Sequence, residues 1–193
     1  MLYLNQCYIV FAMYQEPKVH SPYRENKLGE TLYDLVLEYK PEKIVEFGVL
    51  EGYSAISMAE ALQALGRGHI KAYDIFDDVD ISVPQKNFEI YGVADFVTME
   101  NRDFVDWALN PEDFDLMHLD ISNTGDTIVM ARNALENQLK KGAKIVFEGG
   151  TPERDQVEWM VKYQKTPICL VKGQINYEVI DPRFPGLSII NKP

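Results

Sequence analysis

The chain has 193 residues, 46% hydrophobic and 25% charged, the proportions of a single globular domain with a sizeable core rather than of a disordered chain. Its formal net charge of -11 argues against a nucleic-acid backbone as substrate, because such binding is driven by Lys and Arg meeting phosphates. No stretch approaches the ~18 apolar residues of a membrane span, the start Met1–Tyr14 lacks the layout of a secretory signal, and two lone cysteines, Cys7 and Cys169, suggest a reducing compartment.

The expectation is a cytoplasmic protein bound to neither nucleic acid nor membrane. It reads as one domain, an arm over residues 1–25 and a core over residues 26–193. The arm carries Tyr3, Tyr8, Phe11, Tyr14 and Tyr23, with Pro17 and Pro22 breaking regular structure. Two readings of it are open: packing on the domain or on a second subunit, which makes a homodimer an expectation, or capping a substrate pocket. His20 reads as a surface residue.

From Asn26 to Tyr39 the residues Leu28, Leu32, Leu35, Val36 and Tyr39 form one helical stripe, and Pro41 ends it. Lys43–Ser54 then reads KIVEFGVLEGYS, a short apolar strand closed by Glu46, Phe47 and Gly48. Gly48 and Gly52 bracket a tight turn into a helix striped by Ala55, Met58, Ala59, Leu62 and Leu65. Such a strand–turn–helix leaves free backbone N–H groups at the helix start, which suit a carboxylate or phosphate. The dinucleotide fingerprint would need glycine where Leu50 and Tyr53 stand, and no phosphate-binding P-loop is present. A nucleotide-dependent oxidoreductase is therefore disfavoured.

Gly66 and Gly68 stop the helix, and His69–Ile75 reads as a second strand ending near Asp74. An acid at that tip can accept hydrogen bonds from ribose hydroxyls, whereas Asp77, Asp78 and Asp80 read as a solvated loop. A helix over residues 84–93, a strand Phe96–Met99 and a helix opening at Arg102-Asp103-Phe104 follow. Phe114–Asp120 is a fourth strand, residues Ile128, Ala131, Leu135 and Leu139 stripe a helix closed by Gly142, and Ala143–Glu148 is a fifth strand. Thr151 and Pro152 open a helix continued by Val157, Met160, Val161 and Gln164. Ile168–Val171, Tyr177–Ile180 and Leu187–Ile190 read as short strands. His118 reads as a core histidine. Glu46, Asp120 and Glu148 each end a strand, and in an open parallel sheet such ends converge on one cleft.

The pattern E-x-G-x-x-x-G-Y-S-A formed by Glu46, Gly48, Gly52, Tyr53, Ser54 and Ala55 resembles that of class I S-adenosylmethionine-dependent methyltransferases, nearest to small-molecule O-methyltransferases of the catechol type. The broader likeness is to bacterial sugar O-methyltransferases and cephalosporin-hydroxylase-like proteins. The resemblance implies a Rossmann-like, doubly wound α/β fold, with a mostly parallel seven-stranded sheet closed by a C-terminal antiparallel hairpin. It implies S-adenosylmethionine as cofactor, held by Glu46, Gly48, Gly52, Tyr53, Ser54, Asp74, Asp103 and Asp120, with Asp74 on the ribose and Asp103 near the adenine amino group. It also implies methyl transfer to an oxygen, or less readily a nitrogen, of a small-molecule acceptor, with Asp120 the catalytic candidate.

Catechol-type enzymes bind Mg2+ at the ends of strands four and five. The aligned positions here are Asp120, Glu148 and Gly149, so Asp120 and Glu148 are the candidate ligands for Mg2+ or another divalent cation, with the third ligand lost. The family's catalytic lysine aligns with Asn123, which cannot act as a base. The alternative these departures keep open is a non-catalytic binding or partner protein on the same fold.

Overall fold

Alternation along five parallel strands divides the apolar side chains between two faces of one sheet. In the computed structural model, which describes residues 14–136 and 142–192, these strands are β1 Lys43–Phe47, β2 His69–Asp74, β3 Val97–Asn101, β4 Leu116–Leu119 and β5 Lys144–Glu148. Ile44, Ile70, Ala72, Leu116 and Val146 point to one face, and Val45, Phe47, Tyr73, Met117, Leu119, Ile145 and Phe147 to the other. Two strands at the C-terminal end, β6 Glu178–Asp181 and β7 Leu187–Asn191, run antiparallel. The order is β3-β2-β1-β4-β5-β7-β6, the expected doubly wound sheet with its closing hairpin. Consecutive strands wind outward in both directions from the β1–β4 pair, so the crevice at their carboxyl ends is the topological switch point.

Helices cover both faces. On the first, α1 Leu28–Tyr39 packs on α2 Tyr53–Leu65, with α3 Ser82–Ile90 beside them. Ile56, Met58 and Leu62 of α2 are fully buried between α1 and the sheet, each contributing about 1.5–3 kcal/mol relative to exposure. On the second face lie α4 Phe104–Leu109 and α5 Gly125–Glu136, where Phe47, Phe104 and Trp107 meet with ring centroids 5.0–6.2 Å apart.

The chain departs from the sequence expectation in two places. The helix expected after Thr151 is interrupted: a 3-10 turn, Arg154–Gln156, ends at Val157, whose extended backbone (φ −60°, ψ 147°) separates it from α6 Glu158–Lys162. Ile168–Val171, expected as a strand, is a 3-10 turn running into α7 Lys172–Ile175. Its β-branched residues suit a strand by propensity, but the sheet edge beside β5 is taken by β7. Asp155 instead accepts from the backbone amides of Ile168 and Cys169 at 2.8 and 2.9 Å, fixing the start of the turn. Tyr3, Cys7, Tyr8, Phe11 and Leu139 lie outside the described residues. No helix among the described residues is long and apolar enough to cross a membrane.

Candidate active site

Glycine is required where β1 leaves the sheet. Gly48 has φ +89°, and a Cβ there would lie 1.8 Å from the carbonyl oxygen of Asp120, a separation no side chain can accept. The two strand ends are thus pressed together at the switch point, joined by the Asp120 amide donating to the Phe47 carbonyl at 2.9 Å. The loop turns again at Gly52 (φ +92°), where Phe88 leaves no room for a side chain. No side chain caps the start of α2, so its first-turn amides remain available to a ligand.

The loop is held from the neighbouring strand. Asp74, at the tip of β2, accepts from the Val49 and Leu50 amides through Oδ2 (2.6 and 3.4 Å) and from the Phe76 amide through Oδ1 (2.9 Å). Leu50 is held at φ +48°, an uncommon conformation for a residue with a side chain. A carboxylate offers about four lone-pair sites, so three amide donors leave Asp74 able to accept a hydroxyl as well.

Beneath the loop lies a buried polar pair. Glu46 and His118 are register partners on β1 and β4, both fully buried, with Nδ1 of the imidazole 3.0 Å from Oε1 of the carboxylate. Ser54 of α2 donates to the same Oε1 at 2.6 Å. Glu46 therefore ties the glycine loop's flanking strand to the helix that follows. It does not line the cleft.

The cleft itself, about 560 Å³, is in the range of small-molecule sites. Gly48, Tyr53, Ser54, Asp74, Asp120 and Glu148 line it, together with Ile75, Asp77, Asp78 and Val79 after β2. His20, Ser21, Pro22 and Tyr23 from the arm complete the lining with Val157, Trp159, Phe184 and Pro185, and Asn26 donates to the Phe184 carbonyl. Gly52 and Asp103 are not in the lining. Asp103 caps α4, accepting from the Val105 and Asp106 amides at 2.7 and 3.4 Å, both through Oδ1. The Tyr53 hydroxyl is also engaged away from the cleft: it accepts from the Gly29 amide at 3.1 Å and donates to Glu16.

Asp120 and Glu148 sit side by side, because Leu119 and Phe147 are paired in the β4–β5 register. Burial pushes the Asp120 carboxyl up to about 6, against the opposing pull of His118 and Tyr23. Burial likewise raises Glu148, with the nearby Asp120 charge adding to it and Arg154 opposing it. Tyr23 is buried with its ring edge-on to His118 and its phenol held above its ordinary range, first by burial and then by the Asp120 charge.

The expected metal site does not fit. Both oxygens of Glu148 are bound by Arg154, through Nε and, at 2.8 Å, Nη2, so a guanidinium stands where a divalent ion would need those lone pairs. Gly149 supplies no side chain, Asn123 donates to the Leu119 and Glu148 carbonyls, and no group of three or more His, Cys, Asp or Glu among the described residues is arranged to hold a metal.

The sequence reading missed one wall of the cleft. Arg154, Val157 and Trp159 come from the segment after β5, Trp159 from α6 itself, and Phe184 from the turn after β6; no spacing pattern links them. Pro182, Pro185 and Gly186 mark the turn that carries Phe184.

A doubly wound sheet with a glycine turn and an acid at the carboxyl ends of its switch-point strands is the architecture of a ligand-binding α/β domain. The chain belongs to the methyltransferase-domain family, whose model matches residues 45–148, from β1 to the end of β5. No curated protein sequence matches the chain. Several solved structures share its fold. An O-methyltransferase from Streptomyces achromogenes, described as involved in tomaymycin synthesis and crystallised with S-adenosylmethionine, is 18% identical over 92% of this chain and 82% of its own, with a TM-score of 0.65. A Bacillus cereus O-methyltransferase in complex with S-adenosylhomocysteine is 17% identical over 90% and 83%, TM-score 0.64. A Podospora anserina methyltransferase with S-adenosylhomocysteine is 17% identical over 90% and 83%, TM-score 0.66.

Proposed function

We propose that this protein transfers a methyl group from S-adenosylmethionine to an oxygen of a small molecule. The observation that carries the reading is the preformed cradle between β1 and β2. Gly48 allows close approach, the uncapped start of α2 offers amides to the cofactor's carboxylate, and Asp74 keeps a free lone pair for its ribose. The S-adenosyl compounds held by the two O-methyltransferases of like fold support the same choice. These features fit the group, and Gly48, Tyr53, Ser54 and Asp74 are the residues proposed to hold it. Glu46 and Gly52 support the cradle from behind or beside it, and Asp103 caps α4.

When bound, the cofactor supplies a sulfonium-activated methyl group. The chain's own work is positioning and proton handling. The walls of the cleft would confine an acceptor beside the bound cofactor, and such positioning can supply much of the acceleration. Asp120, raised to about 6, is suited to take the proton of an acceptor hydroxyl near neutral pH. A carboxylate so placed, beside an apolar acceptor wall, supports catalysis over a non-catalytic binding role.

Calorimetric titration with S-adenosylmethionine, S-adenosylhomocysteine and NAD tests the reading. Micromolar binding of the two sulfur compounds with NAD silent is expected; silence from both sulfur compounds would overturn it.

A further inference from the structure

The acceptor side of the cleft contains a cation the proposed chemistry has not yet used. Arg154 is 5% exposed, yet it lines the cleft. Its Nε and Nη2 clamp Glu148 in a two-point pair, and the Trp159 ring, itself in the cleft wall, lies 5.2 Å from the guanidinium carbon. The third nitrogen, Nη1, is buried and has no hydrogen-bond partner among the described residues. A guanidinium donor left unmatched in a buried setting is costly, and a ligand oxygen in the cleft would satisfy it.

Gly149 shows that the arginine and its setting belong together. At φ +106°, a Cβ on Gly149 would lie 3.3 Å from Cγ of Arg154 and 2.9 Å from Cδ1 of Ile168. The side chain missing beside Glu148 is thus replaced by the stem of Arg154. The turn that carries Arg154 is itself anchored, with the Arg154 amide donating to Oγ1 of Thr151 at 3.4 Å.

We infer that Arg154 is the resident cation of the acceptor pocket, standing in the place of a divalent metal and offering Nη1 to the acceptor's hydroxyl oxygen. The inference rests on the methyltransferase reading of the cleft. As the acceptor's O–H bond breaks, its proton forms a bond to the Asp120 carboxylate, and the charge left on oxygen is stabilised by a guanidinium that keeps all its own protons. Unlike a metal, this cation cannot be chelated, and it brings a fixed donor direction.

Titration of Mn2+ into the full chain, alone and saturated with S-adenosylhomocysteine, tests this by the resonance signal of the free ion. No stoichiometric binding to the wild-type chain is expected. Arg154→Met, which leaves Asp120 and Glu148 without their cation, should bind one Mn2+ at least tenfold more tightly, and adding Glu148→Gln should remove that gain. Arg154→Lys, which keeps the charge, should behave as wild type. One Mn2+ bound by the wild-type chain and lost in Asp120→Asn would overturn the inference. So would a folded Arg154→Met protein that binds Mn2+ no better than wild type. If Arg154→Met fails to fold, the wild-type and Arg154→Lys titrations decide by the same criteria. Failure of S-adenosylhomocysteine to bind would strike the cofactor reading alone, since the Mn2+ titration of the chain without it still reports on the cation.

Discussion

Asp120 carries two opposed demands. Its folded carboxyl titrates near 6, above the ~3.9 of an unfolded chain, so the folded state binds the proton more tightly. That preference favours folding below the unfolded value and is lost as pH rises through about 6. Asp120→Asn should therefore stabilise the protein at pH 7–8, by on the order of 1–3 kcal/mol, while methyl transfer falls about 10²–10⁴-fold. Thermal melts across pH and a transfer assay on the same preparations check both. The wild-type rate should rise through about pH 6, as the carboxylate forms. Asp74 serves one end. Asp74→Ala should weaken S-adenosylhomocysteine binding by roughly 10–100-fold, the value of charge-assisted hydrogen bonds, and calorimetry with intact far-UV dichroism is the measurement. Unchanged affinity would sink the ribose assignment.

Among the elements, α1 and α2 are joined by a polar knot that periodicity alone does not reveal. The backbone of Lys27 before α1 is left-handed and no side chain of α1's own start caps it; the Tyr53 hydroxyl from α2 receives the Gly29 amide instead. Gly29 is bare because Tyr14, Ser57 and Tyr53 oxygens converge there, the nearest 2.2 Å from where a Cβ would stand. Tyr53→Phe should cost about 1–2 kcal/mol, read as a fall in melting temperature of roughly 2–8 °C. Elements whose partners are near in sequence or fixed by alternation were legible: β1 through β5, the glycine turn, α2 and the closing hairpin. What was not legible depended on side-chain contacts that neither periodicity nor spacing encodes. Ile168–Val171 reads as a strand until Asp155 bonds its first two amides, and Glu148 reads as a metal ligand until Arg154 folds back upon it. Asp103, whose neighbourhood in the sequence opens a helix, caps α4 in the fold.

At the scale of the whole molecule, the cofactor cradle spans β1, β2 and the start of α2, so occupancy should stabilise the entire fold by linkage. At a concentration about 100 times its dissociation constant, a ligand adds about 2.7 kcal/mol. For a chain of this size that is roughly 5–11 °C in melting temperature. S-adenosylhomocysteine should produce that shift and NAD none, read by scanning calorimetry. The arm over the cleft makes a second route of stabilisation, since the His20 amide donates to Glu51 at 2.9 Å and the Lys18 amide to the Tyr91 hydroxyl at 2.6 Å.

The cradle's donors and acceptors address a carboxylate and a ribose, the parts a methyl donor shares with what remains after transfer. The two differ by one methyl, worth about 0.8 kcal/mol of burial, and by the sulfonium charge, so the spent compound, which keeps every group the cradle addresses, should compete with the fresh one. Turnover would then follow the proportion of donor to spent donor in the surroundings rather than the amount of donor alone, and removal of the by-product would set the pace as much as supply.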